Sequence, residues 1–193
     1  MPHACASQFA IADRKGVGIQ LSRLRNDSIV RSPAAPVSPS PIVRPSDPAA
    51  LVMTDFHAEL PITVTEDRGI DDALNDMIRF GVRALLVVRG EVVSGLITSY
   101  DIQGERPLQY LQGSTLTRHE EIVVGHVMTP WEQVPMLDWA TVERAKVGDV
   151  AEVLERSRAT HVVVIESSRD GSPVVRGLVS RTRVERQLRC HLG

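Results

Sequence analysis

The strongest constraint on this chain is that it repeats itself. "LVMTDFHAELP" at 51–61 resembles "HVMTPWEQVP" at 126–135. "DDALNDMIRFGVRALLVV" at 71–88 resembles "GDVAEVLERSRATHVVVI" at 148–165, and "GLITSYDI" at 95–102 resembles "GLVSRTRV" at 177–184. Three matched blocks in one order mean two copies of one small domain. The period, roughly 75–80 residues, is too long for a solenoid unit.

Within each copy the pattern reads coarsely as β-α-β-β-α. Ile70, Ala73, Leu74, Met77 and Ile78 fall at helical spacing, and Val147, Val150, Ala151 and Leu154 repeat the stripe. "ALLVV" and "HVVVI" are short apolar runs of the kind found in strands buried on both faces. "RGE" predicts a tight turn, and "SSRDGSP" a longer one with an Asp-Gly signal. One such unit buries little core by itself. The expected fold class is therefore α/β: two tandem β-α-β-β-α repeats packed sheet to sheet with pseudo-two-fold symmetry.

The expected boundaries are 50–112 for the first repeat, 113–124 ("GSTLTRHEEIVV") for a linker and 125–193 for the second repeat. Residues 1–49 differ in composition. "RSPAAPVSPSPIVRPSDPAA" at 31–50 is dense in Pro, Ser and Ala, so a disordered tail is expected there.

Composition excludes several function classes. A net charge of −2 is not that of a general nucleic-acid binder. Two cysteines, Cys5 and Cys190, suggest no disulfide framework. No apolar stretch approaches the ~20 residues that span a bilayer, and no secretory leader is evident. The expectation is a cytoplasmic protein with neither membrane nor nucleic acid as partner. His119 and His126 beside Glu120 and Glu121 show no metal-ligand spacing. No nucleophile–base pair stands out, so no enzyme activity is expected and no catalytic residue is named. His161, at the start of an apolar run, reads as a packed core residue. Trp131 and Trp139 read as packing.

The ordered blocks, "VMT" at each entrance and a strand ending in Gly-x-x-[Thr/Ser]-x-x-Asp, resemble the tandem CBS-domain pair, or Bateman module, over about 50–190. The resemblance implies a regulatory or sensor protein, commonly a homodimer. It would bind an adenosine-containing ligand (AMP, ADP, ATP, S-adenosylmethionine or a dinucleotide) in a cleft between the repeats. No cofactor is implied. With no effector domain evident, the regulated target would be a separate, unknown protein. The alternative is a ligand-free dimerisation or interaction scaffold.

Thr98 and Asp101 are the residues on which these readings turn. A hydroxyl and an acid three apart at a helix start form a capping box. The resemblance places the same two residues on ribose and phosphate. Arg83 corresponds to a basic residue facing the cleft, or is simply an exposed strand-edge arginine. In the second copy Ser180 keeps the hydroxyl, Thr160 replaces Arg83 and Arg183 replaces the acid. Guanidinium has only donors and cannot accept from ribose hydroxyls, so this second site is expected to be degenerate. Arg183 would then either reach a neighbouring phosphate or belong to a solvated helix face.

Overall fold

The computed structural model describes residues 42–90, 92–116, 118–168 and 171–189. The expected disorder of residues 1–41, Cys5 and Cys190 lie outside them. In chain order the first half contains β1 (Met53–Asp55), β2 (Thr63–Thr65), α1 (Ile70–Phe80), β3 (Ala84–Arg89), β4 (Val92–Thr98), α2 (Ser99–Gln103) and α3 (Arg106–Gly113). There follow α4 (Val124–Val127), β5 (Thr129–Pro130), β6 (Met136–Asp138), α5 (Trp139–Arg144), α6 (Val147–Ser157), β7 (His161–Ser167), β8 (Pro173–Ser180) and α7 (Arg181–Arg189). The chain is mixed α/β, with two four-stranded sheets, β2-β3-β4-β5 and β1-β8-β7-β6.

These sheets belong to two compact units. A middle unit comprises Pro61–Val134, and a flanking unit joins residues 42–60 to 135–189. In each, one strand arrives from the other sequence repeat. β5, which leads the second repeat, pairs antiparallel with β4. β1, which leads the first, pairs antiparallel with β8. The repeats thus exchange their leading strands, and sequence boundaries do not coincide with boundaries of compact units.

The segments before these strands follow them. Val43 and Ala49, inside the stretch read as a tail, are buried in the flanking core with Val52, Val147 and Leu154. Ile122 and Val124, at the end of the stretch read as a linker, are buried in the middle core with Ile70, Met77 and Ile97. Backbone bonds tie both segments in. Val147 and Gly148 donate to the carbonyls of Asp47 and Pro45, and Val124 and Gly125 donate to those of Arg68 and Glu66. Proline does not prevent this packing, because its carbonyl remains an acceptor.

Helix α1 forms where the stripe predicted it. Asp71 and Asp72 lie in its first turn, where acids suit the helix dipole, and Gly81 ends it at φ 66°. Its apolar face is narrower than the stripe. Ile70, Ala73 and Met77 are buried, whereas Ile78 is 71% exposed. β3 pairs parallel with β2 and antiparallel with β4, and Leu85, Leu86 and Val87 are buried as a run.

Past the end of β2, Glu66 takes a forked ion pair from Arg89 of β3, with Nη2 at 2.8 Å and Nε at 3.1 Å. That pair, helped by Ser94, holds the Glu66 carboxyl below its ordinary value of 4.5. A carboxyl lowered in the folded state stabilises it above the ordinary value and stops doing so as the pH falls through the lowered one. Glu66→Gln should therefore unfold earlier than the wild type at neutral pH. The gap should close below pH 4.5, as followed by urea midpoints across a pH series.

Candidate functional site

The corner where β4 meets α2 positions Thr98 and Asp101. Thr98 pairs with Ala84 across the sheet and is buried. Ser99 N donates to the Arg83 carbonyl at 3.0 Å, so the Arg83 backbone lies against the same corner, with its side chain exposed. The structure thus brings Thr98 and Asp101 together, with the Arg83 backbone beside them.

The corner is a complete capping box. The Asp101 backbone N–H donates to Thr98 Oγ1 at 3.3 Å. Asp101 Oδ2 accepts from the Thr98 backbone N–H at 2.8 Å and from the Thr98 hydroxyl at 2.7 Å. The other carboxylate oxygen, Oδ1, lies 2.9 Å from Arg106 Nη1 at the start of α3. The Asp101 side chain is only 12% exposed. Its charge is therefore met by a guanidinium, a hydroxyl and a backbone amide.

Arg106 was not picked out from the sequence. Its signal is Pro107, which marks a helix start just after Gly104. A new helix five residues beyond Asp101 returns its first side chain to that corner. The same Nη1 also donates to the Val127 carbonyl at 2.9 Å and to Thr129 Oγ1 at 3.1 Å.

The second repeat keeps the frame and changes the chemistry. His161 pairs with Ser180 as Ala84 pairs with Thr98, and Arg181 N donates to the Thr160 carbonyl at 2.9 Å. Thr160 Oγ1 lies 3.1 Å from Nδ1 of the buried His161. Arg183, at the acid's position, donates from Nη1 to Thr54 Oγ1 on β1 at 2.9 Å. Arg181 donates to the carbonyls of Ala159 and Leu154. Both arginines are half-buried and engaged and do not lie on a solvated helix face, as one reading had it; among the residues of α7 whose burial is described, Glu185 and Arg186 are the exposed ones. The expected Ser180–Arg183 site thus offers a hydroxyl and a guanidinium already engaged, with no carboxylate.

The two histidines near the former linker take other partners. His126 stacks on Tyr110 with centroids 4.3 Å apart, and His119 Nδ1 lies 3.5 Å from Asp71. Among the described residues no three His, Cys, Asp or Glu side chains gather as metal ligands, and no helix is long and apolar enough to cross a membrane.

Fold and corner define a mixed α/β protein made of two copies of one β-α-β-β-α unit with exchanged leading strands. Residues 52–106 match the family model of the CBS domain. No curated protein sequence matches the chain. Among solved structures it is similar to an uncharacterized conserved protein from Pyrococcus horikoshii, at 18% identity, covering 75% of this chain and 93% of that one with a TM-score of 0.52. It is similar also to GMP reductase from Trypanosoma brucei, at 19% identity and TM-score 0.50, covering 72% of this chain but 26% of that one. A third similar structure is CBSX2, solved in complex with AMP, at 23% identity, covering 73% of this chain and 94% of that one with a TM-score of 0.47.

Proposed function

We infer that this chain is a regulatory CBS-domain protein that binds one adenosine-containing ligand (AMP, ADP, ATP or S-adenosylmethionine) at the Thr98–Asp101 corner and signals its presence to a partner protein. In this reading 50–112 and 125–193 are the two repeats, and the protein acts as a homodimer. The observation that carries the reading is the placement of a carboxylate, Asp101, at the end of β4 within the matched domain, with Arg83 beside it. A carboxylate accepts from both hydroxyls of a ribose, and an exposed guanidinium suits phosphate. Only the first repeat supports such a site, since Arg183 stands where the second needs an acceptor.

Thermal unfolding of the chain with each of the four ligands tests this. At 100 times its Kd a ligand stabilises by about 2.7 kcal/mol, a rise of about 5–10 °C for a chain of this length. Asp101→Ala should abolish the rise, and calorimetry should count one ligand per chain. No rise with any of the four, in a folded protein, would reduce the corner to a helix cap and favour the ligand-free scaffold.

A further inference from the structure

Asp101 in this structure cannot accept both hydroxyls of a ribose. A carboxylate offers about four acceptor positions. Two are taken on Oδ2, by the Thr98 amide and the Thr98 hydroxyl, and Arg106 Nη1 stands 2.9 Å from Oδ1 as a charge contact. What is left is Oδ1, which a diol would need free of Arg106. The two bonds from Thr98 belong to the cap that starts α2. Arg106 is the partner free to leave, because its side chain is 45% exposed and water can replace Asp101 around it.

We propose that Arg106 is an internal competitor for the ribose, and that its displacement from Asp101 is how occupancy of the corner reaches β5. The inference rests on the nucleotide reading above. One nitrogen, Arg106 Nη1, touches Asp101, the Val127 carbonyl at the end of α4 and Thr129 Oγ1 at the start of β5. A ligand that moves this nitrogen off Asp101 loosens its hold on residues 127–129, which lead into the second repeat.

The flanking unit supplies the contrast. Thr54, the counterpart of Thr129 in "VMT", is also held by an arginine, but by Arg183 directly from the acid's position. There the arginine that holds the leading strand is fixed on α7, and the acid's position carries no carboxylate for a ligand to capture. Replacing the acid by Arg183 keeps the clasp on the strand and removes the means of releasing it.

Calorimetric titration of the wild type and Arg106→Ala with AMP and ATP, each beside its 2′-deoxy form, tests the proposal. A single ribose hydroxyl can share Oδ1 with Arg106, so only the full diol requires Arg106 to leave. Arg106→Ala should therefore bind the ribonucleotide about three- to tenfold more tightly and change the 2′-deoxy affinity by less than about twofold. In the wild type the ribonucleotide should speed hydrogen exchange at the Val127–Thr129 amides; in Arg106→Ala that exchange should be fast beforehand. Arg106→Gln, which keeps an amide donor but no charge, should show the same ordering and serves if the alanine variant does not fold. Binding to the wild type with weaker or unchanged affinity in both variants overturns the proposal while leaving the nucleotide reading intact, and weaker binding would make Arg106 a phosphate ligand. Absence of binding to the wild type overturns both.

Discussion

Gly177→Val should lower the unfolding temperature by roughly 6–12 °C, corresponding to about 3 kcal/mol, and Gly95→Val should do nearly as much. Neither glycine is needed for a left-handed backbone. Each lies where a leading strand crosses its host. A Cβ on Gly177 would stand 2.4 Å from the Thr54 carbonyl oxygen and 2.9 Å from Met53 Sδ. On Gly95 it would stand 2.6 Å from the Thr129 carbonyl oxygen and 2.9 Å from Met128 Sδ. A methionine sulfur can swing aside, but a carbonyl within a strand pairing cannot move without breaking the pairing. The added side chain must therefore push β1 off β8, or β5 off β4. Gly113→Ala is the control: nothing lies within 4 Å of its Cβ, it ends a helix, and the change should be neutral or stabilising by about 0.5–1 kcal/mol. Equal losses at all three positions in thermal melts would show that the glycines act through chain entropy and not through crowding.

That prediction depends on a feature the sequence shows only in part. Glycine heads both "GLIT" and "GLVS", so its recurrence is plain, but its reason lies in strands that leave almost no trace. β5 is Thr129–Pro130 and β1 is Met53–Asp55. Two or three residues cannot display a two-residue period, and nothing local says which sheet they join. The longer elements are legible because each has room for a pattern. α1 carries a helical stripe, and β3 and β7 are apolar runs buried on both faces. Ile78 belongs to the stripe but lies on its margin, at the far edge of the arc that faces the core. Val43 and Ala49 were hidden by the prolines around them, and Ile122 and Val124 by the polar "RHEE" before them.

At the candidate site, side-chain type was legible and side-chain engagement was not. Thr98 and Asp101 announce themselves by spacing, whether as cap or as ligand. That Asp101 is already paired depends on Arg106 beginning a new helix, and that Arg183 holds Thr54 depends on the strand exchange. Both arginines close on a threonine of "VMT", one from five residues beyond the acid and one from the acid's own position. This similarity of role appears only once β1 and β5 are placed.

Arg176→Met should cost about 2 kcal/mol and free β1 from the flanking unit. Arg176 lies on β8 and is 11% exposed. It forms an ion pair with Asp55 at the end of β1, in a contact made by Nη1. Its Nε lies 3.4 Å from Glu166 of β7, a charge contact without hydrogen-bond alignment. The guanidinium also stacks over Trp139, 4.6 Å from the ring centroid. Methionine fills much of the stem's volume but takes from Asp55 and Glu166 the guanidinium that both contact. Breaking a fully buried pair costs about 3–5 kcal/mol. Asp55 and Glu166 are each about a third exposed (34% and 31%), so water recovers part of that. Arg176→Lys should restore less than half of the loss, because an ammonium neither stacks as a plane nor forks to two acceptors. Asp55→Asn combined with Arg176→Met should cost less than the two single losses added together, as expected for side chains in direct contact. Hydrogen exchange locates the effect: Phe56 N donates to the Arg176 carbonyl at 2.9 Å, and its amide should exchange faster in Arg176→Met while the amides of β3 and β4 stay unchanged. Uniform acceleration through both sheets would mean instead that β1 is held by its backbone pairing and core contacts, with the Arg176 cluster adding nothing specific.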